Sequence, residues 1–186
     1  MKKIEAINKL ITLDQHGVYV LTRGDLAKAF PNEKEKAFEK SLQRLVADGI
    51  LERVARGVYV NSLARSKRGG VVEGIAAVLR RGHFSYLSRE SMLSEYGLIS
   101  QIPVSRLILM TTGASGVYET PYGVIEFNHT KRSIAELIQR TVSVKGRTLR
   151  LATRQAALED QIRAGRNVNM IDEYELREQL TDWLNQ

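Results

Sequence analysis

The sequence predicts an α+β protein, with an N-terminal winged helix-turn-helix followed by a mixed α/β C-terminal domain. Three observations predict it. Three segments with helical apolar spacing succeed one another before residue 50, a compact hairpin sequence, LERVARGVYV, follows at residues 51–60, and the texture over residues 102–127 changes to strand-like runs.

Each element has a local cause. Ile4, Ile7, Leu10, Ile11 and Leu13 recur at helical spacing, and Gly17 stops that helix. Thr22 opens Thr-Arg-Gly-Asp, a hydroxyl cap with an acid three residues on, ahead of Leu26, Ala27 and Phe30. Pro31 ends this second helix, because proline disfavours helical geometry in the residue before it, and Asn32 is suited to cap a third. Over residues 33–48, Ala37, Phe38, Leu42, Leu45 and Val46 form an apolar stripe, and the opposite face presents Lys36, Lys40, Gln43 and Arg44. Gly49 terminates it. In the hairpin, Gly57 permits the positive φ of a tight turn, Val54, Val58 and Val60 pack, and Arg53 and Arg56 stand at the tip. Three helices and a hairpin in this order describe a winged helix-turn-helix over residues 1–62, whose third helix enters the major groove beside a wing on the backbone or minor groove. The plainer reading is a solvated hairpin whose arginines pair with acids such as Glu52.

The polar stretch NSLARSKRGG ends in a glycine pair, which places a linker over residues 63–70 and opens the mixed α/β domain at 71–186. That domain begins with a helix, Val71 to Leu79, broken at Arg80, Arg81 and Gly82. Phe84, Tyr86 and Leu87 are strand-like, and Ser88 is a cap for a short helix over residues 91–96 closed by Gly97. VSRLILM, the turn TTGASG and the alternating GVYETPYGVIEF are β in character. Ser133 caps a short helix through Arg140, GRTLRLA is a strand, and a helix from Thr153 to Ala164 ends at Gly165. Tyr174, Leu176, Leu180 and Trp183 mark a last amphipathic helix, with Trp183 assigned to packing.

The net charge of +7 and pI near 9.7 favour a polyanionic partner. The excess lies in residues 1–65, with 12 Lys/Arg against 8 Asp/Glu, and 66–158, with 13 against 6, whereas 159–186 holds 3 against 7. That acidic tail could neutralise a basic partner or the chain's own central domain. Lys67, Arg68, Arg80, Arg81 and Arg89 are candidates for extending a phosphate-tracking surface. Lys131, Arg132, Arg140, Lys145, Arg147, Arg150 and Arg154 form a second basic group, open to the same reading or to that of solvated faces.

Enzymatic chemistry finds little support. The chain has no cysteine, and His16, His83 and His129 lack paired spacing for a metal. TTGASG lacks the lysine of a phosphate loop, RGG is too short for a dinucleotide fingerprint, and no GxSxG surrounds Ser88, Ser91 or Ser94, which suit caps and helix faces. Glu73, Glu90, Glu95 and Glu126 offer no paired-carboxylate pattern. No apolar run reaches the roughly 18 residues of a bilayer span. The N-terminal residues form no signal-peptide core, because Glu5, Asn8 and Lys9 interrupt them. The expectation is a cytoplasmic, non-enzymatic protein without cofactor or metal.

LERVARGVYV, then FSYLSRESMLSEYGLIS, then LRLATRQAALEDQIRAG, in that order, resembles the AbiEi-type antitoxins of type IV toxin–antitoxin and abortive-infection systems. The correspondence lies in the Arg-Gly-Val-Tyr of residues 56–59, the Leu-Ser-x-x-Ser helix closing on Gly-Leu at 87–98, and the late helix at 152–160, with departures at Met92, Tyr96 and Gln155-Ala156. The resemblance implies two activities: repression of its own operon through double-stranded operator repeats upstream, and neutralisation of a cognate nucleotidyltransferase-like toxin. Lys36, Lys40, Gln43 and Arg44 would then contact DNA, Gln43 at a base edge and the lysines at phosphates, with Arg53 and Arg56 holding the wing. The alternatives are a ligand-responsive winged-helix regulator without a toxin, its β-rich middle forming a small-molecule pocket, and a nucleic-acid-processing enzyme with a winged-helix targeting module.

Overall fold

The computed structural model describes residues 2–67, 70–99 and 105–172, with Tyr174, Arg177 and Thr181. The architecture is α+β, with two compact units, residues 1–79 and 80–186. Among the described residues no helix is long and apolar enough to cross a membrane.

The first unit runs α1 (Lys3–Gln15), β1 (Val20–Thr22), α2 (Arg23–Ala29), α3 (Glu35–Ala47), β2 (Leu51–Ala55), β3 (Val58–Asn61) and α4 (Val71–Leu79). Its strands form an antiparallel sheet in the order β1-β3-β2. Leu10, Leu26, Phe38, Leu42, Leu45 and Leu51 share one core, each burying side-chain area that stabilises by about 1.5–3 kcal/mol. The cap of α2 is the expected one: Asp25 N–H donates to Thr22 Oγ1 at 3.0 Å, and Thr22 N–H donates to Asp25 Oδ2 at 2.9 Å. The cap of α3 is not. Lys34 occupies that position without a side-chain hydrogen bond, because Asn32 lies in the turn that Glu33 N–H closes onto Phe30 O.

The stretch expected to be a linker is docked along the first unit. Asn61 Nδ2 donates to Leu10 O at 3.3 Å, and the Asp14 carboxylate accepts from Arg65 N–H, Ser66 N–H and the Ser66 hydroxyl. The Ser66 hydroxyl is the first cause that holds the Asp14 carboxyl below its ordinary pKa. The helix expected to open the second domain, α4, packs instead against β1 and β3. Gly74 permits that approach, since a Cβ there would stand 3.2 Å from Tyr19 Oη and 3.3 Å from Val20 Cγ2. The division between units therefore falls after Leu79 rather than at 63–70.

The second unit contains β4 (Ser85–Leu87), α5 (Arg89–Glu95), β5 (Arg106–Thr111), β6 (Gly116–Thr120), β7 (Gly123–His129), α6 (Ile134–Gln139), β8 (Thr141–Val142), β9 (Arg150–Ala152) and α7 (Arg154–Ala164), followed by a 3₁₀ turn at Val168–Met170. Its mixed sheet has the order β6-β7-β5-β4-β9-β8, with β5/β7 and β4/β9 parallel. Helices α5 and α7 pack on each other, burying Met92, Leu93, Ala157 and Leu158. Ser133 caps α6 reciprocally with Glu136, Thr153 caps α7, and Gly165 ends α7 at φ +65°. GRTLRLA contributes only the short β9, and Leu176, Leu180 and Trp183 lie outside the described residues.

Candidate functional site

The α3 surface follows from its apolar stripe. With Phe38, Leu42 and Leu45 committed to the core, helical geometry turns Lys36, Lys40, Gln43 and Arg44 outward, and all four are exposed. Arg44 braces against its own helix, donating to Lys40 O and Ser41 Oγ at 3.3 Å each. Lys36 and Lys40 have no ion-pair partner among the described residues. The acids of the same helix are engaged elsewhere: Glu35 and Glu39 both pair with Arg23 at the start of α2, whose guanidinium also lies 5.7 Å from the Phe38 ring centroid. The Glu39 hydrogen bond is the first cause that raises the Arg23 pKa above its ordinary value. Composition had not singled out Arg23, which leaves the α3 cations without adjacent compensating carboxylates.

In the hairpin, Arg56 and Gly57 form the turn, with Gly57 at φ +72°, and Gly57 O accepts from Arg23 N–H at 2.8 Å, tying the tip to the start of α2. Arg53 stands on β2, opposite Tyr59, rather than in the turn. Both arginines are exposed and neither has an ion-pair partner among the described residues.

The proposed extension of this surface is largely dismantled. Arg89 is 2% exposed and sits inside an ionic cluster, so it cannot track phosphates on a surface. Arg80 lies 4.4 Å from the Phe127 ring centroid and 5.1 Å from that of Tyr118, donating to Ala114 O and Tyr118 Oη. Lys67 Nζ donates to Ser62 O at 2.9 Å, Arg81 is exposed, and Arg68 lies outside the described residues. In the second basic group, Arg132 and Arg140 pair with Asp160, Arg147 grips Glu95 with two bonds near 3 Å, and Arg150 binds Thr141; Lys131, Lys145 and Arg154 are exposed.

The cluster around Asp160 and Arg89 joins two segments read as separate helices. Asp160 Oδ2 accepts from Tyr86 Oη at 3.0 Å and Ser88 Oγ at 2.7 Å, and Oδ1 from Arg132 at 2.6 Å and Arg140 at 3.4 Å. Ser88 therefore spends its hydroxyl on Asp160 and does not cap α5, and Ser91 Oγ accepts from Ile108 N–H. Burial, then the Asp160 charge, raises the Tyr86 pKa. Arg89 lies between two acids, with Glu90 Oε1 at 3.4 Å and Glu126 Oε1 at 3.8 Å, and its Nε donates to Gln161. Arg106 and Arg166 also reach Glu126, at 2.7 and 3.5 Å. Glu95 pairs with Arg147, and Glu73 belongs to the first unit, so the four glutamates do not converge. Among the described residues no three His, Cys, Asp or Glu side chains are grouped to hold a metal ion.

No known protein-family model matches the chain, and no curated protein matches it. Its fold is similar to the crystal structure of the RV2827C protein from Mycobacterium tuberculosis, with a TM-score of 0.57 at 12% identity over 83% of this chain. The chain spans 58% of the length of that protein, and at this identity the likeness concerns the fold alone.

Proposed function

We propose that the first unit is a winged helix-turn-helix that binds double-stranded DNA, with α3 in the major groove and the β2–β3 hairpin as its wing. The observation that carries this reading is the set of exposed cations, Lys36, Lys40, Arg53 and Arg56, that have no carboxylate partner among the described residues, while Glu35 and Glu39 of α3 are tied to Arg23. The element order and the β1-β3-β2 sheet support it, being those the motif requires. Gln43 is suited to an adenine edge through paired amide bonds, and Lys36, Lys40 and Arg44 to phosphates. In this proposal the chain is an AbiEi-type antitoxin that represses its own operon in the cytoplasm and neutralises a nucleotidyltransferase-like toxin, binding rather than catalysing.

The test is a gel-shift titration against the chain's own upstream region and a shuffled duplex at several salt concentrations. Replacing Arg53 and Arg56 by alanine removes two phosphate contacts, so the slope of log K against log salt should fall in magnitude by about 1.8, at about 0.9 per contact. An unchanged slope overturns the wing assignment, and equal binding to both duplexes overturns operator recognition. Rescue of growth on co-expression with the neighbouring reading frame tests the antitoxin role.

A further inference from the structure

A cleft of about 340 Å³ opens in the second unit. Arg89, Ser115, Asn128, His129, Arg163 and Arg166 supply its polar lining, with Met110 and Ala164 as apolar wall. Its volume is that of a small-molecule site. The residues come from five places: the start of α5, the end of β5, the loop before β6, the end of β7, and α7 with the turn beyond.

Several groups in this lining retain unused donor capacity. Ser115 Oγ accepts from His129 N–H at 2.9 Å, which leaves the hydroxyl proton to be donated. His129 is spent on the protein instead: its Nδ1 donates to Gly113 O at 2.9 Å, and the Nε2 of that neutral ring is an acceptor. Arg89 is held at φ +53°, uncommon for a side chain of this size, and its guanidinium is buried between Glu90 and Glu126. Charge here is unbalanced. Arg89, Arg106 and Arg166 share the two carboxylates Glu90 and Glu126, while Arg163 has no ion-pair partner among the described residues. Asp160, the acid in the lining, is already matched with Glu159 against Arg132 and Arg140, and Glu136 is committed to Ser133. The cleft thus carries two positive charges in excess.

We propose that this cleft binds a small phosphate monoester, its phosphate held by Arg163, Arg166 and Ser115 and its organic part resting against Met110 and Ala164. A phosphate monoester carries nearly two negative charges at neutral pH, which matches the excess, and a recess of this size admits a small molecule but not a duplex. The inference concerns the second unit alone and does not depend on DNA binding by the first.

The test uses the full chain, titrated calorimetrically with inorganic phosphate, a nucleoside monophosphate, a hexose phosphate and the unphosphorylated nucleoside. Saturable one-to-one binding of a monoester, competed by phosphate and absent for the nucleoside, is expected, and the preferred monoester separates nucleotide from sugar sources. Arg163→Gln with Arg166→Gln, both at exposed positions, should weaken it by about tenfold or more, the loss of a charged hydrogen bond. Backbone amide signals of Ser115, Asn128 and His129 should shift, and those of Lys40 and Gln43 should not. Failure of every monoester to bind saturably overturns the proposal, as does undiminished binding by the double variant. Arg53→Ala with Arg56→Ala should leave monoester binding intact, so failure here and failure of DNA recognition are separately visible.

Discussion

Replacing Asp160 by asparagine is the sharpest test of how the second unit is held together. The side chain is fully buried, and asparagine keeps its shape while removing the charge that Arg132 and Arg140 share. Arg140 retains Glu159, but Arg132, only 10% exposed, loses the one carboxylate it is seen to pair with. Breaking a buried pair from one side costs about 3–5 kcal/mol, because the remaining charge stays desolvated. The weakened bonds from Tyr86 and Ser88 to a now neutral acceptor act in the same direction. Urea unfolding followed by circular dichroism, with hydrogen exchange at the β4 and β9 amides to assign the transition, measures the loss. Adding Arg132→Met should restore about 2 kcal/mol or more, since the orphaned charge is gone. A loss below about 1 kcal/mol, or simple addition of the two single effects, refutes the argument.

Two further predictions rest on single residues. Tyr86 has its pKa raised by burial and by Asp160, so its neutral form contributes stability that is fully present below the ordinary tyrosine value and is lost as pH rises through the raised one. Tyr86→Phe should therefore flatten the decline of stability above about pH 10, seen in urea midpoints measured across the alkaline range. At Gly123, φ is +128° and an added Cβ would stand 2.6 Å from Ser105 O, so Gly123→Ala should lower stability by about 1–3 kcal/mol or more and loosen the β6–β7 turn in hydrogen exchange.

The elements that were legible in the sequence are those whose causes are local. Thr22 with Asp25, Ser133 with Glu136, and Thr153 with Gly165 sit within one or a few turns of the helix they bound, and each is where its spacing placed it. Asn32 misled because a cap is chosen by where the turn ends, and the Phe30–Glu33 turn consumed it first. Ser88 misled for another reason: its acceptor, Asp160, is 72 residues away, and no periodicity reports a partner at that distance. The same separation hid the cluster around Arg89, whose contacts with Glu126 and Gln161 exist only once the sheet and α7 are assembled. The α3 face was legible because amphipathic spacing states which side of a helix is buried.

Composition treats every arginine alike, and the fold does not. Arg80 covers aromatic rings, Arg147 and Arg150 brace loops and strands, and Arg132 and Arg140 hold a buried carboxylate, so much of the positive charge of the second unit is spent inside it. A high pI therefore argues for a polyanionic partner only through the cations that no acid has claimed. Among the described residues two groups of basic side chains stand out: those along α3 and the hairpin, spread over a helix face and a turn, and Arg163 with Arg166, which converge on one cleft. An extended array of exposed cations suits the repeating phosphates of a duplex, whereas two excess charges converging on one small cleft suit one small dianion. The same count of basic residues thus supports two different ligands, and geometry assigns each its unit.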